Sequence, residues 1–369
     1  MKSYGHLWEQ YASEENYNLA VSNATRHKGG ARRKYRKARY YRDHAEELKP
    51  RLMDYAMNFR SVRHAPIEIY DGVRRKKRSI VVPTMDEQVV HHMVVNVLKP
   101  IFMRSMYEHS YGSIPGRGAH SAKKRMQLWI RHGGRDCKYV LKMDVRKFFD
   151  SVPHDRLKQM LHRIIRDDRF LAVVDEIVDA AEGERGIPIG FYTSQWFANF
   201  YLTGLDHFIK ETLGAKYYMR YMDDMVILGP NKRTLHRYRR EIERYLNCVL
   251  GLEMKDNWQV FLFDFVKRNG RHVGAPLDFM GFQFFRDRVV LRRTIALKAS
   301  RKVRRMAKKP RRTVHDARQV LSYLGWFSAT DTYGMFRRWI KPFVSIQRLK
   351  RQVGNYQRKQ NWRVAYVAA

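Results

Sequence analysis

The sequence predicts a mixed α+β fold, with short apolar strands and amphipathic helices in successive parts of the chain. Two apolar runs flank Asp223-Asp224 and predict a hairpin, and residues 139–145 predict another buried strand. The segment after Pro153 has apolar residues at helical spacing: Leu157, Met160, Leu161, Ile164 and Ile165. A hydrophobic fraction of 44% is enough to build a core around these elements.

The charge balance predicts a polyanionic partner. The chain has 73 lysine and arginine residues against 36 aspartate and glutamate residues, which gives a formal net charge of +37. A bilayer surface is one candidate partner, but no amphipathic anchor stands out and the basic residues occur along the whole length. Nucleic acid is the favoured partner, and its binding should weaken with added salt.

The same sequence predicts a cytoplasmic protein without a membrane segment. No run of eighteen uncharged apolar residues is present, and the N-terminus lacks the apolar core of a secretion signal. Cys137 and Cys248 are too few for a disulfide framework or an all-cysteine zinc site.

Three carboxylates carry the strongest chemical signal. Asp223 and Asp224 are adjacent at the turn of an apolar hairpin, where they repel each other and should stay solvated. A plain solvated loop is the alternative reading, but a second buried strand also ends on a carboxylate, Asp144. Acidic groups on two strands of one sheet could hold two magnesium ions for in-line phosphoryl transfer.

These motifs resemble those of reverse transcriptases. Residues 221–224, Tyr-Met-Asp-Asp, are similar to the catalytic box of that family, and residues 141–152 resemble its first catalytic motif. Between them, Ile189-Gly190 and Ser194-Gln195 stand where most members have Gln-Gly and Ser-Pro. This variant resembles the branch found in diversity-generating retroelements. The resemblance runs in order from about residue 74 to 326.

The resemblance implies a right-hand polymerase fold with fingers, an α+β palm and a helical thumb. We expect a basic N-terminal extension over residues 1–65 and fingers over 66–138. The palm, with part of the fingers, should cover 139–289, and a basic helical thumb and C-terminal region should cover 290–369.

The resemblance also implies the catalytic metal ligands. Asp144, Asp223 and Asp224 would be the catalytic carboxylates, and the backbone carbonyl of Val145 would join them in binding two Mg²⁺ ions. Mn²⁺ is an alternative metal. A general acid is not assigned, because Trp258 stands where many relatives have a lysine, with Lys255 as a substitute nearby.

A second group of residues is expected at the incoming nucleotide. Alternating residues around Gly72 predict a hairpin that resembles the fingers hairpin of the family, with Gly72 in its turn. By this resemblance Arg78, with Lys76 or Lys77 nearby, would clamp the triphosphate, and the consecutive Arg74 and Arg75 leave the choice within the run open. The other expected nucleotide contacts are Phe149 as an aromatic gate, or alternatively a core residue, together with Val145, Ile189 and Gly190.

A third group is expected on the template and primer. Arg117 lies in a loop similar to a fingers motif, although Ile114 stands where relatives often have an arginine. The remaining expected contacts follow the motifs and the basic thumb: Ser194, Gln195, Tyr221, Met222, Phe279, Gly281, Arg301, Arg304 and Arg305. A solvated helix is the alternative reading of the thumb segment. Residues 26–42 form a basic arm, read either as a solvated segment or as an RNA-binding element.

Three functions compete on this evidence. The first is an error-prone RNA-directed DNA polymerase of a diversity-generating retroelement, copying a template RNA into cDNA. The second is a phage-defence reverse transcriptase that copies a dedicated noncoding RNA, and the third is a catalytically silent RNA-binding protein. The expected partners are template RNA, RNA–DNA duplex, deoxynucleoside triphosphates and a small basic accessory protein.

Overall fold

The computed structural model describes residues 3–26, 35–71, 76–267 and 269–367. Contacts divide this part of the chain into two compact units. The first unit comprises residues 3–71, 76–122 and 139–260, and the second comprises residues 123–138 and the described part of 261–369.

Strands and helices are interspersed in the first unit, and the second adds two small sheets and a helical region. The strands are β1 (Ile67–Asp71), β2 (Lys76–Ile80), β3 (Ser110–Tyr111), β4 (Tyr139–Asp144), β5 (Tyr217–Tyr221), β6 (Asp224–Gly229), β7 (Gln259–Leu262), β8 (Phe265–Val266), β9 (His272–Val273), β10 (Leu277–Phe279), β11 (Phe282–Phe284) and β12 (Val289–Leu291). The α-helices are α1 (Leu7–Tyr11), α2 (Glu14–Thr25), α3 (Arg36–Asp43), α4 (Ala45–Met57), α5 (Met85–Ser105), α6 (Ala119–His132), α7 (Phe148–Ser151), α8 (His154–His162), α9 (Asp168–Val178), α10 (Tyr192–Tyr201), α11 (Thr203–His207), α12 (Lys232–Tyr245), α13 (Arg293–Ala307), α14 (Val314–Ser328), α15 (Tyr333–Trp339) and α16 (Ile346–Val367). The predicted α+β class is confirmed.

The main sheet has the strand order β3-β5-β6-β4-β7. β5 and β6 form the predicted hairpin, and β4 pairs antiparallel with β6 so that Asp144 lies opposite Asp224. β3 pairs parallel with β5, which places Tyr111 beside Tyr221. Because side chains alternate along a strand, Asp144 and Asp224 share one face, and Met143 and Met225 share the other.

Helix α5 is the central helix of the first unit. Thr84 caps its N-terminus by accepting from the Glu87 backbone N–H, and the Glu87 carboxylate accepts from the Thr84 backbone N–H. Phe102 stacks on Phe200 of α10, with ring centroids 4.4 Å apart. Helix α5 packs against α2 and α10 and buries much of its apolar surface in the core of the first unit.

The predicted basic hairpin is also confirmed. β1 and β2 pair antiparallel, with Ile69 opposite Arg78 and Tyr70 opposite Lys77. Its turn residue Gly72 and the neighbouring Arg74 and Arg75 lie outside the described residues. Within the basic arm, residues 27–34 also lie outside them, and α3 forms the remainder.

The second unit has its own apolar core. Helix α13 buries Ala296, Ala299, Val303 and Met306 on one face, while its basic side chains remain outside. Strands β10, β11 and β12 form an antiparallel sheet in that order. Among the described residues, no helix is long and apolar enough to cross a bilayer.

A buried ion pair lies beneath the β5–β6 turn. Arg220 and Asp206 are fully buried, and the guanidinium donates to both carboxylate oxygens, at 2.8 and 2.6 Å. It also donates to the Met222 carbonyl at 3.0 Å, to Asn199 Oδ1 at 3.1 Å and to Ser110 Oγ at 3.1 Å. One cation therefore ties β3, α10 and α11 to the turn that carries Asp223.

Removing the anion should destabilise the first unit strongly. Asp206→Ala leaves the Arg220 charge buried without its counter-ion, so we expect the free energy of unfolding to fall by about 3–5 kcal/mol. Urea denaturation measures the change. The control is Glu241→Gln, which breaks an exposed pair with Arg244 and should cost less than about 1 kcal/mol. A small loss for both variants would contradict a structural role for the buried pair.

Candidate active site

The predicted catalytic carboxylates meet at one end of the main sheet. Asp144 ends β4, Asp224 begins β6, and Asp223 lies in the turn between β5 and β6. The Asp223 carboxyl is hydrogen-bonded to that of Asp144. All three side chains are half-buried, whereas the sequence pattern predicted that Asp223 and Asp224 would be solvated.

Burial and crowding change the protonation of this pair. Burial, together with the negative charge of Asp144 and then that of Asp224, raises the pKa of Asp223 to about 7. Without a cation, two carboxylates in contact hold a proton more tightly than either would alone. The carboxylate pair is therefore stabilised by any positive charge placed beside it.

Lys255 supplies part of that charge. Its Nζ lies 2.8 Å from Asp144 Oδ2, and its backbone N–H donates to the Asp144 carbonyl at 2.9 Å. The contact with Asp144 raises the pKa of Lys255 above its usual range. The residue that sequence reasoning left unassigned thus touches a predicted catalytic carboxylate directly.

The carboxylates suit a divalent metal. Oxygen ligands on two adjacent strands are typical of Mg²⁺ sites, and a cation would relieve the repulsion that raises the Asp223 pKa. In the described residues, no group of three His, Cys, Asp or Glu side chains is clustered tightly enough to form a metal site by itself. Asp144 and Asp223 would provide the inner pair, and Asp224 and the Val145 carbonyl would stand beside them. Val145 forms a β-bridge with Met254 and is buried.

The turn that carries Asp223 is strained and tightly held. Met222 has a positive φ of 54°, which is unusual for a residue with a side chain. Its N–H donates to the Tyr111 carbonyl at 3.0 Å, and its carbonyl accepts from Arg220. Tyr221 and Met222 are both half-buried, so their predicted primer contacts would involve only part of each side chain.

Phe149 and Ile189 lie together on one cavity. Both line a space of about 410 Å³ in the first unit, together with Asp150, Val81 and Phe191. Phe149 is in the short helix α7 and packs edge-on against Phe148, with centroids 5.6 Å apart. Two positions predicted at the nucleotide, 40 residues apart in the chain, are thereby neighbours around one opening.

Gly190 joins this cavity to the basic hairpin. The N–H of Val81, one residue after β2, donates to the Ile189 carbonyl at 2.8 Å. Gly190 has φ of +120°, and a Cβ there would lie 2.0 Å from the Val81 carbonyl oxygen. Only glycine fits this contact without moving one of the two backbones.

The hairpin presents its basic residues outward. Lys77 and Arg78 are exposed on β2, and Lys77 Nζ lies 2.5 Å from Glu68 Oε1 on β1. Lys76 begins the strand. Because neighbours on a strand face opposite sides, Lys77 and Arg78 cannot both point toward one ligand.

Arg117 stabilises its own loop through hydrogen bonds. Its guanidinium donates to the Tyr107 carbonyl at 2.8 Å, and its backbone carbonyl accepts from Gly112 at 3.0 Å. The side chain is half-buried. Its predicted contact with a template therefore competes with a contact inside the protein.

The two variant positions of α10 face different surroundings. Ser194 is buried, whereas Gln195 is exposed and lines a cavity of about 700 Å³. Tyr35 and Lys37 of the basic arm and His92 of α5 line the same cavity. Gln195 is thus the accessible member of the pair.

In the second unit, the segment expected to grip the primer is a tight turn. Phe279 is fully buried, and Met280 and Gly281 both have positive φ between β10 and β11. A Cβ on Gly281 would lie 2.8 Å from Ile295 and 3.4 Å from Trp326. Glycine is favoured here by the positive φ of 86°, and a Cβ would in addition displace the end of the Ile295 side chain. Arg301, Arg304 and Arg305 are exposed on α13.

Sequence reasoning missed the buried support of the site. Arg220 is the only charged residue within the apolar run of β5, which was a signal that it needs a buried anion. Asp206 carries no such signal, because its role depends on the packing of α11 against the sheet.

The fold and the acidic pair define a polymerase of the palm-sheet type. Residues 70–284 match the reverse transcriptase (RNA-dependent DNA polymerase) family, which is more than half of the chain, and the chain belongs to that family. The predicted family and enzyme class are confirmed at this level.

Curated relatives match only parts of the chain. Protein YkfC of Escherichia coli is 25% identical over 193 residues, which are 50% of this chain and 46% of that protein. An uncharacterized 91 kDa protein in the cob intron of Schizosaccharomyces pombe is 29% identical over 150 residues, which are 38% of this chain and 18% of that protein. Nuclear intron maturase 1 of Arabidopsis thaliana is 26% identical over 93 residues, 25% of this chain and 12% of its own. The chain spans less than half the length of each of these relatives.

Among solved structures, telomerase from Candida tropicalis in complex with a fragment of telomeric RNA aligns at a TM-score of 0.48 and 12% identity. The alignment covers 87% of this chain and 58% of that one.

Replacing Lys255 should increase the amount by which a bound metal raises the unfolding temperature. Lys255→Met removes the positive charge beside Asp144, so without divalent ions we expect a lower unfolding temperature. Added Mg²⁺ should restore it, and the Mg²⁺-induced increase should exceed that of the wild type by a few degrees, or about 1 kcal/mol. The control is Lys158→Met, which breaks a pair with Asp179 elsewhere. Equal Mg²⁺ effects in all three proteins would contradict competition between Lys255 and the metal.

Proposed function

We propose that this chain is an RNA-directed DNA polymerase that copies a template RNA into cDNA. The observation that carries the proposal is the contact of Asp144 with Asp223 at the end of neighbouring strands, inside the region that matches the family. A divalent metal, Mg²⁺ or Mn²⁺, would activate the primer hydroxyl and support the departing pyrophosphate. Asp144, Asp223, Asp224 and the Val145 carbonyl would hold two such ions.

The protein's own residues would position the reactants. The primer 3′ oxygen bonds to the α-phosphorus of a deoxynucleoside triphosphate, and the bond from that phosphorus to the bridging oxygen breaks, releasing pyrophosphate. Phe149 would lie under the sugar and exclude a 2′ hydroxyl. Arg78, with Lys76 or Lys77, would neutralise the triphosphate, where a guanidinium or ammonium stabilises the migrating charge.

Template and primer would be held by the remaining predicted residues. Gln195, exposed beside Tyr35 and Lys37, is the best placed of these on the first unit. Arg301, Arg304 and Arg305 form an exposed basic edge on α13 that suits a duplex backbone. A small basic accessory protein is a proposed further partner.

We further propose that the template belongs to a diversity-generating retroelement. The support is the pair Ile189-Gly190 and Ser194-Gln195, which resembles that branch. A second candidate is a reverse transcriptase that works with an intron RNA, because several relatives are named as intron proteins. Sequencing the RNA that copurifies with the protein separates them. A repeat-derived template supports the first candidate, an intron supports the second, and a dedicated noncoding RNA would favour a phage-defence enzyme instead.

The carboxylates can be tested by isosteric substitution. Asp144→Asn and Asp223→Asn each remove a charge from the proposed metal site and keep the side-chain volume. Primer extension should fall by orders of magnitude, because the metal loses a charged ligand. RNA binding, measured by gel shift on the same samples, should be unchanged. Asp155→Asn on α8, a surface change away from the carboxylates, serves as the control. Near-normal extension by either site variant would contradict the proposal.

The isoleucine at position 189 leads us to expect low fidelity of nucleotide incorporation. The resemblance places it where most relatives have a glutamine near the incoming base pair, and isoleucine offers bulk without a hydrogen bond. Apolar contacts discriminate shapes by only about 1–3 kcal/mol, whereas unpaired polar groups penalise a misplaced base more. Ile189→Gln should therefore lower misincorporation on one defined template, as read by sequencing the cDNA.

The control for this test is Ile189→Leu, which keeps an apolar side chain of the same size and should keep the error rate. If the glutamine variant is no more accurate than the leucine variant, Ile189 does not set fidelity.

A further inference from the structure

Helix α12 carries an exposed row of arginines that the proposed polymerase site does not use. Arg233, Arg237, Arg240 and Arg244 are all exposed, while Leu235 and Ile242 are buried. At about 100° per residue, the four arginines lie roughly 140–200° around the helix from Leu235. The row extends over about 16 Å, and it points directly away from the core.

The arginine row lies behind the sheet with respect to the carboxylates. Gly229 of β6 contacts Leu235, since a Cβ there would lie 2.9 Å from its Cδ2. Side chains alternate along β6, so Gly229 faces the side opposite to Asp224, and α12 packs on that opposite side. Tyr139 shares the face of Gly229, and Lys232 Nζ of α12 lies 5.9 Å from its ring. A primer–template bound at the carboxylates cannot reach the row through the sheet.

The local charge is strongly positive. Helix α12 contains six lysine and arginine residues and two glutamates. One glutamate, Glu243, pairs with Arg239 at the side of the helix, and the other, Glu241, pairs with Arg244 at 3.1 Å. Arg233, Arg237 and Arg240 therefore remain as the cationic centre of the row.

The chemistry of the row favours phosphates of a folded RNA. Guanidinium groups bind phosphate through paired hydrogen bonds. The aromatic residues of α12, Tyr238 and Tyr245, are half-buried, so the row offers no platform for stacking single-stranded bases. A bilayer is disfavoured because the apolar face of α12 is already buried in the core.

We infer that the outer face of α12 is a second nucleic-acid site, which binds the backbone of a double-helical RNA segment. The inference rests on the proposed function, since it supposes that the chain works on RNA. The site would anchor a folded part of the template RNA while another part is copied at the carboxylates. Double-helical RNA is recognised mainly by shape and by its phosphates, which this surface supplies.

The test compares two double variants of the full chain that lose equal charge. Arg237→Gln with Arg240→Gln removes the centre of the row, and Arg163→Gln with Arg166→Gln removes two exposed arginines next to α8. Binding of a labelled 20-base-pair RNA hairpin is measured between 50 and 200 mM salt. Loss of two phosphate contacts should reduce the slope of log affinity against log salt by about 2. The fall in affinity between 50 and 200 mM salt should then be roughly tenfold smaller than for the wild type. The Arg163/Arg166 variant should behave as the wild type.

Three further measurements make the outcome decisive. Glu241→Gln removes the anion beside Arg244 and should tighten hairpin binding. Primer extension on a short unstructured template should be normal in the Arg237/Arg240 variant. If the wild type itself does not extend the primer, that result counts against the proposed polymerase function and not against RNA binding by α12. An equal loss of hairpin binding in both double variants would overturn the inference. Binding to anionic phospholipid vesicles and to an acidic peptide is measured in parallel. If the Arg237/Arg240 variant loses only one of these and keeps hairpin binding, the inference is also overturned.

Discussion

The buried pair of Arg220 and Asp206 is the interaction on which the rest of the site depends. A charged pair inside a core stabilises little by itself, because both ions lose their hydration. Its value here is geometric, since the donors of one guanidinium reach Asp206 twice and also Asn199, Ser110 and the Met222 carbonyl. It thereby joins the strained Met222 turn to β3, α10 and α11. The Arg220 guanidinium therefore supports the turn on which Asp223 lies beside Asp144.

The sequence predicted the parts of the fold that depend on local pattern. The hairpin around Asp223, the strand ending at Asp144 and the hairpin of β1 and β2 all follow from alternation and turn chemistry. The solvation of Asp223 was predicted wrongly, because burial depends on what packs over a turn and not on the turn itself. The partner of Arg220 and the contact of Lys255 with Asp144 are likewise long-range, joining residues 14 and 111 positions apart. No periodicity encodes such pairs.

The electrostatics of the first unit separate into two regions with different requirements. At the carboxylates, burial and then the neighbouring negative charge raise the pKa of Asp223, and Lys255 offsets only part of that negative charge. On α12, six basic side chains outnumber two glutamates, so positive charge is concentrated there. The main sheet keeps these regions apart, so that neither neutralises the other. An acidic centre and a basic exterior can then act on the same polyanion at separate points.

The contact of Gly190 with Val81 has an evolutionary consequence. Two backbones that meet with no room for a methyl group form a close joint, which connects the basic hairpin to residues 189 and 190 beside the cavity. Residue 189 can change identity freely, because only its carbonyl takes part in the joint, whereas residue 190 cannot. Under the proposed function, selection could therefore change the side chain that faces the incoming base pair while the backbone contact between the hairpin and the cavity stays constant.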